Sequence, residues 1–160
     1  AWLTPADMQG VTTKYIGHGK RDISTLGLQK SSAQLMPEGS VLFSSRAPIG
    51  YVAIAECEVS TNQGFKSVVP YFLECNQFIY YFLRYFAEQI EANARGTTFK
   101  EVSGAIVRNL PFPLPPVAEQ KRIVAKVDSL MAICDKLEAR LKTSSEVSSD
   151  LATAVTSIVK

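Results

Sequence analysis

Residues 117–160 read VAEQKRIVAKVDSLMAICDKLEARLKTSSEVSSDLATAVTSIVK, and this stretch decides the architecture. Ile123, Val127, Leu130, Cys134, Leu137, Leu141, Ser144, Ser148, Leu151, Val155 and Ile158 recur at alternating steps of 4 and 3 residues. Nine of these eleven are apolar when Cys134 is counted, and the two exceptions are serines in the middle. A seven-residue repeat sustained this far specifies a coiled-coil seam, not a helix lying on one globular core. Neither Gly nor Pro interrupts the segment, so one helix is expected, roughly 65 Å long at full extent. The residues before it are too few to cover such a stripe. The helix therefore needs a second one, from another copy or from a helical partner. The alternative is two shorter helices folded back at the serine-rich stretch Thr143 to Ser149.

Upstream, Pro111, Pro113, Pro115 and Pro116 make a stiff junction, since proline cannot continue a ladder but suits the first turn of a helix. Residues 1–115 form one domain and residues 116–160 the helix. The first part reads as mixed α+β. Val41 to Ser45 and Tyr51 to Ala55 are strand-like runs joined by Arg46-Ala47-Pro48-Ile49-Gly50, whose Pro and Gly suit a turn. Phe65 to Val69 and Ala105 to Val107 are expected as further short strands. Phe78, Ile79, Phe82, Leu83, Phe86 and Ile90 recur at helical spacing behind Asn76, which is expected to cap that helix. The stripe reads as core, whereas Tyr80, Tyr81 and Tyr85 fall on other faces. The fold class is thus α+β, a small mixed domain with an aromatic-rich helix followed by a long coiled-coil helix.

Composition narrows the function. Of 160 residues, 46% are hydrophobic and 20% charged, enough apolar surface for a folded core. Lys and Arg exceed Asp and Glu by only 2, which excludes a histone-like polycation but not a local basic face. No stretch is long and apolar enough to span a bilayer, and the start lacks the basic and apolar regions of a secretory signal. The missing initiator Met suggests a processed or excised segment. Cys57, Cys75 and Cys134 are odd in number and lack metal-ligand spacing, so neither a disulfide framework nor a zinc site is expected, and the cytoplasm is the default compartment.

Catalytic machinery is missing from the pattern. Gly17-His18-Gly19-Lys20-Arg21 superficially resembles a phosphate loop, but no Gly sits five residues before Gly19, and Arg21 replaces the Ser or Thr that would hold magnesium. His18 is the single histidine, without a Cys or carboxylate set around it. No Asp-Pro-Pro-Tyr-type tetrapeptide is present; Asn109-Leu110-Pro111-Phe112 comes nearest, with a wrong second position. Positive charge does gather locally. Lys14, Lys20, Arg21 and Lys30 stand against Asp22 alone, interleaved with Thr12, Thr13, Tyr15 and His18, a mixture suited to phosphates and base edges. Arg95-Gly96-Thr97-Thr98-Phe99-Lys100 is a second such set, in which Gly96 reads as a helix C-terminal cap with Arg95 beside it.

Three ordered segments carry a resemblance: Val41-Leu42-Phe43-Ser44-Ser45-Arg46-Ala47-Pro48-Ile49-Gly50, Ser60-Thr61-Asn62-Gln63-Gly64-Phe65 and Arg95-Gly96-Thr97-Thr98. They are followed by Leu110-Pro111-Phe112-Pro113-Leu114-Pro115-Pro116-Val117-Ala118-Glu119-Gln120-Lys121-Arg122-Ile123-Val124. The whole chain resembles one half of the specificity (S) subunit of type I restriction-modification systems. The resemblance implies a non-catalytic target recognition domain that reads one part of a split DNA sequence, with its long helix paired to another. It implies methyltransferase (M) subunits, which would bind S-adenosylmethionine in place of this chain, and motor-nuclease restriction (R) subunits as partners. Trp2-Leu3-Thr4-Pro5-Ala6-Asp7-Met8 looks like the family's segment after its first strands, so upstream residues are expected.

The signatures at Arg46 and at Asn62-Gln63-Gly64 recur among members with different targets, which implies support of the fold or contact with the DNA backbone. Base readout is then expected in the loop Thr12 to Arg21, with Thr13, Lys14, Tyr15, His18, Lys20 and Arg21 as candidates. Arg46, Lys66, Thr97 and Lys100 are the backbone candidates, and the heptad residues from Ile123 to Ile158 the pairing seam. Self-pairing in antiparallel fashion would demand an inverted-repeat target. Two other classes are a coiled-coil assembly piece that docks subunits without reading DNA, and an enzyme of unrecognised type.

Overall fold

Val41-Leu42-Phe43-Ser44-Ser45 alternates its side chains between two buried faces, and this organises the domain. The computed structural model describes residues 1–46, 48–92, 94 and 100–158, with side chains described as far as Ser149. The chain divides into two units, Ala1–Lys121 and Arg122–Lys160.

In the first unit the strands are β1 (Trp2–Leu3), β2 (Tyr15–Ile16), β3 (Leu35–Met36), β4 (Val41–Ser45), β5 (Ile49–Ala55) and β6 (Val59–Thr61). The helices are α1 (Thr25–Gln29), α2 (Asn76–Ala92) and α3 (Gly104–Arg108), and α4 (Val117–Ile158) begins here. Two three-stranded sheets form, in the orders β1-β6-β3 and β2-β5-β4. The hairpin β4–β5 is antiparallel, with Leu42 opposite Ala53 and Phe43 opposite Val52, and its register shifts between Phe43 and Ser45. There the Ser44 hydroxyl accepts from the Tyr51 backbone N–H at 2.8 Å. Gly50, inside β5 at this irregularity, has φ +95°, and a Cβ on it would press on Ala87 of α2 at 3.2 Å. The remaining pairings are long-range: β1 runs parallel to β6, and β2 parallel to β5.

Each face of the hairpin has its own core. Leu42, Ala53 and Ala55 pack with Leu3, Ile16, Val59 and Phe65, whereas Val41, Phe43 and Ile54 pack with Tyr80, Phe82, Leu83 and Ile90 of α2. A strand buried on both faces reads as a continuous apolar run, as this one does. Apart from Phe78, whose ring meets Phe112 edge-on, the predicted apolar stripe of α2 lies in or against that core. Tyr80 joins it, buried at 3% exposure, with its hydroxyl accepting from Arg84 Nη1 at 3.0 Å. Tyr85 stays exposed.

Three local expectations are corrected. Ala105 to Val107 is not a strand but the middle of α3, because Ser103 caps a helical turn by accepting from the Ile106 N–H. A short apolar run carries no periodicity that separates the two states. Phe65 to Val69 runs beside β4 through single bridges at Ser44–Phe65 and Val41–Val68, without a continuous ladder. Asn76 does not cap α2: a 3₁₀ turn at Leu73–Cys75 leads straight into the helix, and Asn76 is already helical at φ −60°, ψ −41°.

The proline junction ends where Pro116 O accepts from the N–H groups of Glu119 and Gln120. Gln120 is buried, and its Nε2 donates to Pro115 O at 2.8 Å. Beyond Lys121, α4 continues unbroken through the serine-rich stretch, so the folded-back alternative is not adopted. The Thr143 hydroxyl donates to Ala139 O at 3.1 Å, one turn back, which keeps a β-branched hydroxyl compatible with a helix. In this second unit Leu130, Leu137 and Leu141 are 49%, 53% and 70% exposed. The side chains of Leu151, Val155 and Ile158 lie outside the described residues. Among the described residues, no helix is long and apolar enough to cross a membrane.

Candidate nucleic-acid interface

Thr4-Pro5-Ala6-Asp7 builds the support for the loop between β2 and α1. Pro5 opens a 3₁₀ turn, and Asp7 Oδ2 accepts from both the backbone N–H and the hydroxyl of Thr4, at 2.8 and 2.6 Å. The other carboxylate oxygen, Oδ1, accepts from the Lys20 N–H at 3.0 Å. One acidic side chain thereby ties residue 20 to the start of the chain. Gly19 is needed in this arrangement, because a Cβ there would sit 2.7 Å from Trp2 O. From the other side, Cys57 Sγ donates to Gly17 O at 3.2 Å, and the Trp2 N–H donates to Arg21 O. The loop is a pinned platform.

Burial pushes the Asp7 carboxyl up, but the hydrogen bonds from Thr4 and Lys20 and the Lys20 charge outweigh it and hold the pKa below the ordinary value. A depressed folded pKa gives stability that is full above the unfolded value, about 3.9, and lost as pH falls through the lower folded one. Asp7→Asn is therefore expected to melt earlier than the parent at neutral pH. Either orientation of the amide sets an NH₂ against one of the N–H donors. The gap should narrow as pH falls through the lowered folded pKa, where the parent carboxyl takes up its proton. Thermal melts along a descending pH series check this, and a gap that does not change with pH would contradict it.

The expected base-reading residues fall into two groups. His18 and Lys20 line one shallow depression with Asp7, and exposed Arg21 follows them. His18 Nδ1 lies 3.6 Å from Asp22, both exposed. Lys14 is directed elsewhere: its Nζ donates to Gln77 Oε1 at 3.1 Å and lies 4.9 Å from the Tyr81 ring centre, both on α2. Thr13 donates its hydroxyl to Tyr15 O at 2.7 Å, and Tyr15 stands 37% exposed in β2. The sequence showed the cluster of cations but not the division between them. The missed signal is Asp7, whose link to Lys20 exists only in three dimensions.

The backbone-contact candidates converge around Glu101. Arg46 forms a β-bridge with Glu101, Lys66 Nζ lies 3.5 Å from its carboxylate, and Lys100 is exposed beside it. Lys66 also donates to Ser45 Oγ and Gln63 O, both at 3.3 Å, so the fold itself occupies that ammonium. Thr97, with Arg95, Gly96 and Thr98, lies outside the described residues. Asn62 and Gly64 support the turn: Asn62 Oδ1 accepts from the Gly64 N–H at 2.9 Å, and a Cβ on Gly64 would meet the Pro5 ring at 2.8 Å. Among the described residues, no group of three or more His, Cys, Asp or Glu could hold a metal ion.

Residues 2–146 match the family model of the type I restriction modification DNA specificity domain. The chain is similar to the type I restriction enzyme MjaIX specificity subunit of Methanocaldococcus jannaschii, 35% identical over 124 residues, covering 76% of this chain and 29% of that protein. It is also similar to the type I restriction enzyme EcoBI specificity subunit of Escherichia coli, 39% identical over 66 residues, 41% of this chain and 14% of that one. Among solved structures, one from work on complex assembly and conformational transition of the type I R-M system aligns with TM-score 0.60 and 28% identity. That alignment covers 71% of this chain and 28% of the other. The HsdS subunit from Thermoanaerobacter tengcongensis aligns with TM-score 0.53 and 26% identity, over 64% of this chain and 28% of that subunit. The chain thus spans less than a third of the length of these relatives.

Proposed function

The chain belongs to the type I restriction-modification DNA specificity domain family, and from that membership we propose that it is a non-catalytic module that recognises part of a split DNA target. The observation that carries this reading is the family match extending over both the pinned cationic loop and the start of the long helix. The globular unit reads bases through Lys20, Arg21 and His18. The helix pairs with a second helix and joins the module to another recognition domain. Methyltransferase subunits, which bind S-adenosylmethionine themselves, and motor-nuclease subunits act on the DNA so selected, in the cytoplasm. A docking piece that does not read DNA would have no use for a loop held this firmly around exposed cations.

Two copies of this chain paired antiparallel through α4 would recognise an inverted repeat with a spacer. Co-expression with the neighbouring methyltransferase subunit, followed by genome-wide mapping of methylated adenine, tests the whole reading. A split motif is the expected result, and random or absent methylation from an assembled complex contradicts DNA recognition. Lys20→Ala and Arg21→Ala resolve the loop. A lost phosphate contact lowers the salt slope of binding by about 1, while a lost bidentate base contact costs about 1–3 kcal/mol and relaxes the motif. Unchanged affinity and motif in both variants would remove the loop from the reading surface.

A further inference from the structure

Lys20 and Arg21 are held by their backbone and left open at their tips. The Lys20 N–H donates to Asp7 Oδ1 at 3.0 Å. Arg21 O accepts from the Trp2 N–H at 3.3 Å, within an antiparallel bridge between those two residues. Gly19, just before them, is packed against the same supports: a Cβ there would lie 2.7 Å from Trp2 O and 3.1 Å from Asp7 Cγ. Both cationic side chains are exposed, and among the described residues neither is engaged in a salt bridge or a side-chain hydrogen bond. Lys14 and Lys66 differ, since the fold occupies their ammonium groups.

Asp7 is the one side chain among these restraints. Its own place is set by the two bonds from Thr4 and by a turn whose Pro5 and Met8 are buried. A turn anchored in the core thus reaches, through one carboxylate, to the backbone that carries two free cations. A phosphate contact survives a displaced backbone, because charge acts over several ångströms and a long side chain can reach again. A bidentate contact to a base edge does not, since its donors must be held within about 0.5 Å. The charge on Asp7 also counts against mere attraction. It lines the same depression as His18 and Lys20, where it opposes an incoming phosphate. A surface that needed only positive charge would be better without it.

We propose that Asp7 is the positioning residue for sequence choice. By holding the Lys20 N–H it sets where Lys20 and Arg21 present their donors to base edges, so discrimination between DNA sequences depends on it and general affinity for DNA does not. The inference rests on the DNA-reading role proposed above and names the residue through which the fold controls it.

The full chain, in complex with its methyltransferase subunit, is used to enrich binders from a randomised duplex library. The enriched duplex and the unselected library are then titrated against parent and variants. Asp7→Asn should bind the enriched duplex about tenfold more weakly, the loss of one bidentate base contact. It should bind the unselected library as tightly as the parent or more so, with the same salt slope. Gly19→Ala, which displaces the same backbone without changing any charge, should lose preference as well. Thr4→Val takes one of the two Thr4 bonds from Asp7 but keeps the link to Lys20, so its melting temperature should fall while its preference stays. That control separates positioning from stability. Asp7→Asn with the parent's preference overturns the proposal, and so does equal weakening on both probes. Preference lost in Thr4→Val as much as in Asp7→Asn overturns it too. Should Asp7→Asn fail to assemble, Gly19→Ala decides in its place. A parent that enriches no sequence removes the DNA-reading role and this inference with it, whereas enrichment by the parent beside an unaffected variant removes the inference alone.

Discussion

Leu137→Asp in the full chain is expected to abolish pairing through α4 and leave the globular unit folded. Leu137 is 53% exposed on the isolated helix and sits in the seam between Cys134 and Leu141. Burying a leucine contributes about 1.5–3 kcal/mol, and in a symmetric pair the change enters once from each helix. The loss of about 3–6 kcal/mol corresponds to about two to four powers of ten in Kd, before the cost of burying a carboxylate is added. Light scattering at about tens of micromolar should show the mass falling from two chains to one. The near-ultraviolet circular dichroism of the globular unit should not change. A parent chain that is already monomeric at that concentration would rule out self-pairing and leave only a helix from a different chain as the partner. An unchanged dimer in the variant would place the seam on another face of α4.

Phe43→Ala should cost the globular unit about 3–5 kcal/mol, a large part of the 5–15 kcal/mol typical of a domain. Phe43 is fully buried and packs where β4 meets Tyr80, Leu83 and Ile90 of α2. Its removal leaves a cavity bounded by a sheet on one side and a helix on the other, neither free to close in. The melting temperature should fall by about 10–20 °C, followed through Trp2 emission. Phe43→Leu should cost much less, and Tyr85→Ala, which truncates an exposed ring, almost nothing. A loss below about 1 kcal/mol for Phe43→Ala would mean that the helix–sheet core is not the main source of stability.

The hairpin β4–β5 and the apolar face of α2 were both legible in the sequence. In each case the signal is local: short runs rich in β-branched and aromatic residues for one, period 3.6 for the other, with Pro and Gly as the turn signal between the runs. Ala105 to Val107 was misread because three apolar residues fit either state, and the deciding group is a neighbouring hydroxyl, that of Ser103. Asn76 was misread because a cap depends on the backbone before it, and a 3₁₀ turn already fills that place. The candidate loop was visible as a run of cations. Its division into Lys14, turned toward Gln77 and Tyr81, and the group at His18, Lys20 and Arg21 was not.

The α+β class, the long uninterrupted helix with its seven-residue repeat, and the family could all be read without coordinates. All three are written in spacing along the chain or in contiguous signatures, and spacing survives without knowledge of what packs on what. Three features needed the folded chain: β1 pairs with β6, Asp7 fastens Lys20, and Trp2, Gln34, Gln63 and Ser67 line one cleft. Those groups are separated by dozens of residues, and no local propensity encodes their meeting. They come together because both faces of β4 and β5 must be buried, and satisfying both at once fixes where every shorter element lies.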